Sequence, residues 1–173
     1  MSDISSASDI SSADVAFLQR AVAISRRALE APGITPFGAL VVVGGAVVGE
    51  GSSSVVKLHD PTAHAEVMAL RAAGAALERH ILADGVMYTS SEPCPMCLTA
   101  CYWACIPRVV YAADSRDVAA HGFEDLRLYR ELTLDSTDRT LRGVPVDGPL
   151  RAEAVSVLKA WTDALPEPVV PKF

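Results

Sequence analysis

The chain predicts an α/β sandwich with helices packed on a mixed sheet, and three observations carry that expectation. Apolar residues recur at helical spacing in several stretches. Short valine-rich runs bounded by glycine or proline read as strands. The two patterns alternate along the chain, which places helices against a sheet. With 173 residues, half of them apolar, the chain can bury one sizeable core.

The elements follow in order. Residues 2–7 and 8–13 repeat the same six letters, Ser-Asp-Ile-Ser-Ser-Ala, which is far too short for a solenoid unit. We expect residues 1–13 to be a disordered repeat tail. Ser12 or Asp14 then caps a helix carrying Phe17, Leu18, Ala21, Ile24, Ala28 and Leu29, which stops near Ala31-Pro32-Gly33. Gly38 to Val43 and Ala46 to Gly49 flank Gly44-Gly45 and read as a β-hairpin. Ser52 to Ser54 and Lys57 to Asp60 read as a loop, with Asp60 capping a helix that opens on Pro61. A strand at Val86–Ser90, a helix at Cys94–Ala104 and a strand at Arg108–Ala112 follow. Helical stretches come next at Ser115–Ala120, Asp125–Leu132 and Pro149–Ala164. The expected organisation is a single folded domain over 14–165 and an extended, proline-rich tail over 166–173.

Charge and cysteine usage narrow the function. A net charge of −6 argues against a general nucleic-acid binder, which needs a basic surface. No apolar run approaches 18 residues and no basic, apolar leader opens the chain, so we expect no membrane span and a cytoplasmic location. Thiols stay reduced there. The four cysteines, Cys94, Cys97, Cys101 and Cys105, fall within twelve positions. A disulfide scaffold would spread them; this clustering points to metal ligands plus buried thiols. Cys101 and Cys105 follow Cys97 at i+4 and i+8, which suits core packing on one helix face.

Two short segments carry chemistry. His64-Ala65-Glu66 reads H-x-E; after 26 further residues, Pro93-Cys94-Pro95-Met96-Cys97 reads P-C-x-x-C. This is the signature of zinc nucleobase deaminases. Cys94 and Cys97, at i and i+3 of a helix start, place both sulfurs on one face, where the helix dipole favours thiolate. Two parallel strands would bring the His64 helix start to the same end. One histidine and two thiolates leave a fourth zinc position open, as in catalytic sites. Zinc lowers the pKa of water it holds to roughly 7. Glu66 then serves as the proton relay to the ring nitrogen and the leaving amine.

The stretches Asp60–Glu66 (DPTAHAE) and Glu92–Cys97 (EPCPMC), with Tyr102-Trp103 and Gly122-Phe-Glu-Asp125, resemble the cytidine deaminase-like superfamily, and within it the bacterial guanine deaminases. The resemblance covers about Phe17 to Glu131. It implies a three-layer α/β/α sandwich with a central mixed sheet and zinc held by His64, Cys94 and Cys97. It implies Glu66 as catalytic shuttle, the Ala65 backbone and Asp125 as contacts to the base, and Trp103 as a pocket wall. It also implies a homodimer that exchanges C-terminal segments, with Phe173 closing the partner's site. A family asparagine that contacts base or ribose aligns with Ser53, which offers one hydroxyl in place of an amide's donor and acceptor. Guanine is the first expected substrate. Isocytosine, cytosine, an aminotriazine or a nucleoside are the alternatives, and tRNA adenosine is a further one.

Overall fold

The structure is a computed structural model and describes residues 10–123 and 125–170. It divides into two compact units, one ending at Tyr129 and the other beginning at Arg130.

The first unit holds a four-stranded sheet in the order β2-β1-β3-β4. Strands β1 (Thr35–Val43) and β2 (Ala46–Ser53) form the hairpin, with Gly44 and Gly45 both at positive φ in its turn. β1 also pairs antiparallel with β3 (Gly85–Ser91), and β3 pairs parallel with β4 (Arg108–Ala113). The sheet is therefore mixed. β2 and β3 run in the same direction with β1 between them, so they share an end without being neighbours.

Alternation along the strands sorts the core into two layers. Leu40, Val42, Tyr88 and Val110 face helix α1 (Ser12–Ser25) and pack with Ala21 and Ile24. Ala39, Val41 and Met87 face the other way, against Ala65, Ala69 and Ala73 of α3 (Ala65–Leu77) and Cys101 of α4 (Pro95–Trp103). A three-layer sandwich results. Glycine sets how closely it closes. A Cβ on Gly38 would stand 2.4 Å from the Ala21 carbonyl oxygen; one on Gly51 would stand 2.0 Å from that of Ala65. The two helices thus lie with their backbones almost on the sheet.

One polar network ties α1 down. Asp14 is buried, accepts from the Tyr88 hydroxyl at 2.6 Å and pairs with Arg108 at 2.7 Å. The Arg108 guanidinium, then the Tyr88 hydroxyl, hold its carboxyl well below the usual range. The same carboxylate completes a capping box with Ser11. Ser11 is therefore the N-cap, in place of the expected Ser12 or Asp14. The helix tightens into a 3₁₀ turn at Arg26–Leu29.

Three other local expectations are corrected. Ser52 and Ser53 are the end of β2, because the hairpin runs on past Gly49. A short helix α2 (Val55–Leu58) follows, and Asp60 closes a turn on Thr62 at 2.8 Å and caps no helix; His64 is the N-cap of α3. Cys105 lies beyond the end of α4 at positive φ, off the face that carries Cys101.

Helices α5 (Ser115–Ala120) and α6 (Asp125–Thr133) follow β4, and the second unit carries α7 (Pro149–Asp163). Every residue of α7 is exposed, including Leu150, Val157, Leu158 and Trp161. Among the described residues no helix is long and apolar enough to cross a membrane.

Candidate active site

The shared end of β2 and β3 is where the chemistry gathers. β2 feeds through α2 and the Asp60 turn to His64, which caps α3 with extended backbone (φ −69°, ψ 156°). β3 feeds to Cys94, which caps α4 in the same conformation (φ −64°, ψ 167°), with Pro95 at the first helical position. Two helix N-termini, each with unsatisfied N–H groups and positive dipole ends, therefore meet at one point.

His64, Cys94 and Cys97 are brought together there. Their donor atoms all lie within 4.8 Å of one another, and Cys94 Sγ is 3.6 Å from His64 Nδ1. Two ligands of one tetrahedral zinc, at bond lengths of about 2.0–2.3 Å, would be separated by about that distance. The Cys97 thiol, then His64, hold the Cys94 thiol well below the usual range, while the hydrogen bond to Cys94, then burial, push Cys97 up. The set, two soft sulfurs and an imidazole with no carboxylate among them, suits zinc over magnesium or calcium. The three residues fit that ion.

Glu66, two residues on from His64, contributes no donor to this group. It is buried, and Thr89 Oγ1 donates to its Oε1 at 3.1 Å. Burial pushes its carboxyl up. Glu66 also lines a cavity of about 210 Å³ with His64, Cys94, Ser53 and Asp125. Phe37 and Phe123 supply an apolar wall, ring centroids 4.8 Å apart and edge to face.

The other expected contacts are placed as follows. Asp125 is half-buried, opens α6 and faces the cavity; burial, then the charge on Cys94, pushes its carboxyl up. Ser53 is 3% exposed and lines the cavity. Ala65 is fully buried as the first residue of α3. Trp103 is 60% exposed at the end of α4 and is not among the residues that line this cavity. Phe173 lies outside the described residues.

Several residues here carry no signal in a single sequence. Thr89 looks like any strand threonine, yet its hydroxyl orients Glu66. Glu92 accepts from Ser115 N at 2.8 Å and from Ser115 Oγ at 2.5 Å, which fastens the turn before Cys94 to α5. Tyr129, one helical turn after Asp125, donates its hydroxyl to the Pro93 carbonyl at 2.6 Å. That bond ties Asp125's helix to the metal-ligand turn.

Comparison with known proteins agrees with this geometry. The model for the cytidine and deoxycytidylate deaminase zinc-binding region matches residues 11–113, more than half the chain. The chain belongs to that deaminase family. It is a zinc-dependent aminohydrolase. The deaminase is 43% identical over 145 residues to guanine deaminase of Bacillus subtilis (strain 168), which covers 84% of this chain and 91% of the relative. It superposes on the crystal structure of the Bacillus subtilis guanine deaminase with a TM-score of 0.83 at 40% identity, over 90% of this chain and 97% of the other. Similarity to a tRNA-specific adenosine deaminase of Buchnera aphidicola subsp. Schizaphis graminum (strain Sg) is more distant. It amounts to 36% identity over 54% of the deaminase and 62% of that relative.

Proposed function

We propose that this deaminase hydrolyses guanine to xanthine and ammonia. The observation that carries the reading is the likeness to a guanine deaminase over nearly the whole length of both chains, at 43% identity in sequence and a TM-score of 0.83 in fold. The cavity supports it. About 210 Å³ is below the roughly 300–1,000 Å³ of sites for drug-sized ligands, and suits a single flat base. The net charge of −6 disfavours tRNA.

His64, Cys94 and Cys97 would hold the zinc. Bound zinc supplies Lewis-acid activation of water and so a nucleophile at neutral pH. The remaining work falls to this chain. Thr89 holds Oε1 of Glu66. The carboxylate takes one proton of the attacking water and delivers it to the ring nitrogen, then takes the second from the hydroxyl now bonded to the ring carbon and delivers it to the amine as the C–N bond breaks. Asp125, an acceptor, pairs with N–H groups of the base, with Ser53 and the Ala65 backbone completing the polar contacts. Phe37 and Phe123 exclude water beside the ring. The test is ammonia release from guanine, guanosine, adenine, cytosine, isocytosine and an aminotriazine. Guanine should be turned over best; silence on guanine with activity on another ring would overturn the reading.

We further propose a cytoplasmic homodimer that exchanges C-terminal segments, with Phe173 reaching the partner's site. The support is α7, whose Leu150, Val157, Leu158 and Trp161 are 61–69% exposed and need a cover. All four cysteines are free thiols, as a reducing compartment requires. Sedimentation at micromolar concentration should give twice the chain mass. A monomer would contradict the exchange, and recovery of the protein outside the cytoplasm would contradict the location.

A further inference from the structure

Thr35 and Ser53 form a pair that the sequence does not reveal. They are cross-strand partners at the open end of the hairpin, so their side chains share the face that α3 covers. The register shifts between Thr35 and Gly38, and Pro36 lies between them. The irregularity leaves Thr35 opposite Ser53 at the rim of the sheet. Thr35 Oγ1 lies 2.5 Å from Ser53 Oγ, and both residues line the catalytic cavity with Glu66 and Asp125.

Two hydroxyls joined by one hydrogen bond use one O–H and leave the other free. Glu66 and Asp125 are carboxylates and accept hydrogen bonds when ionised. The hydroxyl pair therefore adds what those two groups lack, a donor. Ser53 is 3% exposed, so its hydroxyl has little access to water once a ligand fills the cavity. A buried hydroxyl without an acceptor is costly, which turns an unmade bond into discrimination.

We propose that Thr35 and Ser53 act as one substrate-reading unit, whose remaining O–H donates to an acceptor atom on the heterocycle. Thr35 is thereby a specificity-determining residue. It fixes which way the Ser53 hydroxyl points, and the unit favours rings that present an unprotonated nitrogen or a carbonyl oxygen at that edge. The inference deepens the guanine reading and rests on it.

The test is a cycle between variants and substrates. The variants are Ser53→Ala, Thr35→Val, the double variant, and Thr35→Ser, which restores the hydroxyl. The substrates are guanine and two analogues that each lack one acceptor away from the reacting carbon: 7-deazaguanine and 2-aminopurine. On guanine, each single variant should lower kcat/KM about tenfold. The double variant should lose no more than either single one, Thr35→Ser should recover most of the loss, and melting temperatures should stay close to wild type. For the analogue that lacks the recognised acceptor, the wild type should already be about tenfold down and the variants no lower. Losses that multiply in the double variant, or a variant penalty undiminished on both analogues, would overturn the unit while leaving guanine as the substrate. A wild type silent on guanine would overturn the underlying reading and the unit with it.

Discussion

Glu66→Gln should keep its full zinc content and lose about 10²–10⁴-fold in kcat on guanine. The two effects separate because the donor atoms come from His64, Cys94 and Cys97 alone. Glutamine has the size of glutamate and can still accept from Thr89, whose hydroxyl lies 3.1 Å from Oε1. It cannot carry a proton between water, ring and leaving amine. Zinc per chain by atomic absorption, measured beside steady-state kinetics, checks both halves. Turnover within a few-fold of wild type would remove Glu66 from the proton relay. Loss of zinc would mean that Glu66 also holds the metal.

The second large effect acts through the backbone. Gly51→Ala should cost about 1–3 kcal/mol of stability and about 10²-fold in kcat. A Cβ at residue 51 would stand 2.0 Å from the Ala65 carbonyl oxygen and 2.6 Å from the Ala69 nitrogen. Both are helix backbone and neither can rotate away. The first turn of α3 must lift from β2 by something on the order of 1 Å, a displacement sufficient to cost catalysis. His64 and Glu66 ride on that turn, while Cys94 and Cys97 ride on α4. The shift would therefore pull the imidazole away from the two sulfurs. Gly143, with open space around it, is the matched control and should tolerate alanine. Urea denaturation and kinetics on the two variants test the contrast. Equal behaviour would mean that α3 is not held by its approach to Gly51.

The residues that make the chemistry were legible because their types are rare and their spacing is physical. One H-x-E and one P-C-x-x-C suffice to propose three donors and an acid, and the structure brings all three donors within 4.8 Å. Strands and helices were legible where composition and the flanking turn residues agree, as in the hairpin about Gly44-Gly45 and in the helix from Pro95 to Trp103. Errors fell where local chemistry has two outlets. Asp60 has the character of an N-cap, but it spends its side chain on Thr62, and the chain needs three more residues to carry His64 to the sheet end. The Ser52–Ser54 run looks like a loop by composition; two of its serines extend the strand because β1 is there to pair with them. Contacts that depend on tertiary approach left no local trace. Thr35 meets Ser53 across 18 residues, and Tyr129 meets Pro93 across 36. Cavity wall residues such as Phe37 and Phe123 have the same signature as any core aromatic.

Hydrolysis has a direct signature in the product. With guanine and the zinc-loaded protein in ¹⁸O-labelled water, each xanthine should carry one ¹⁸O at the carbon that bore the amino group, with one ammonia released per xanthine. Xanthine and ammonia without incorporated ¹⁸O would contradict a water-derived nucleophile at the His64–Cys94–Cys97 centre; no xanthine at all would contradict guanine as the substrate.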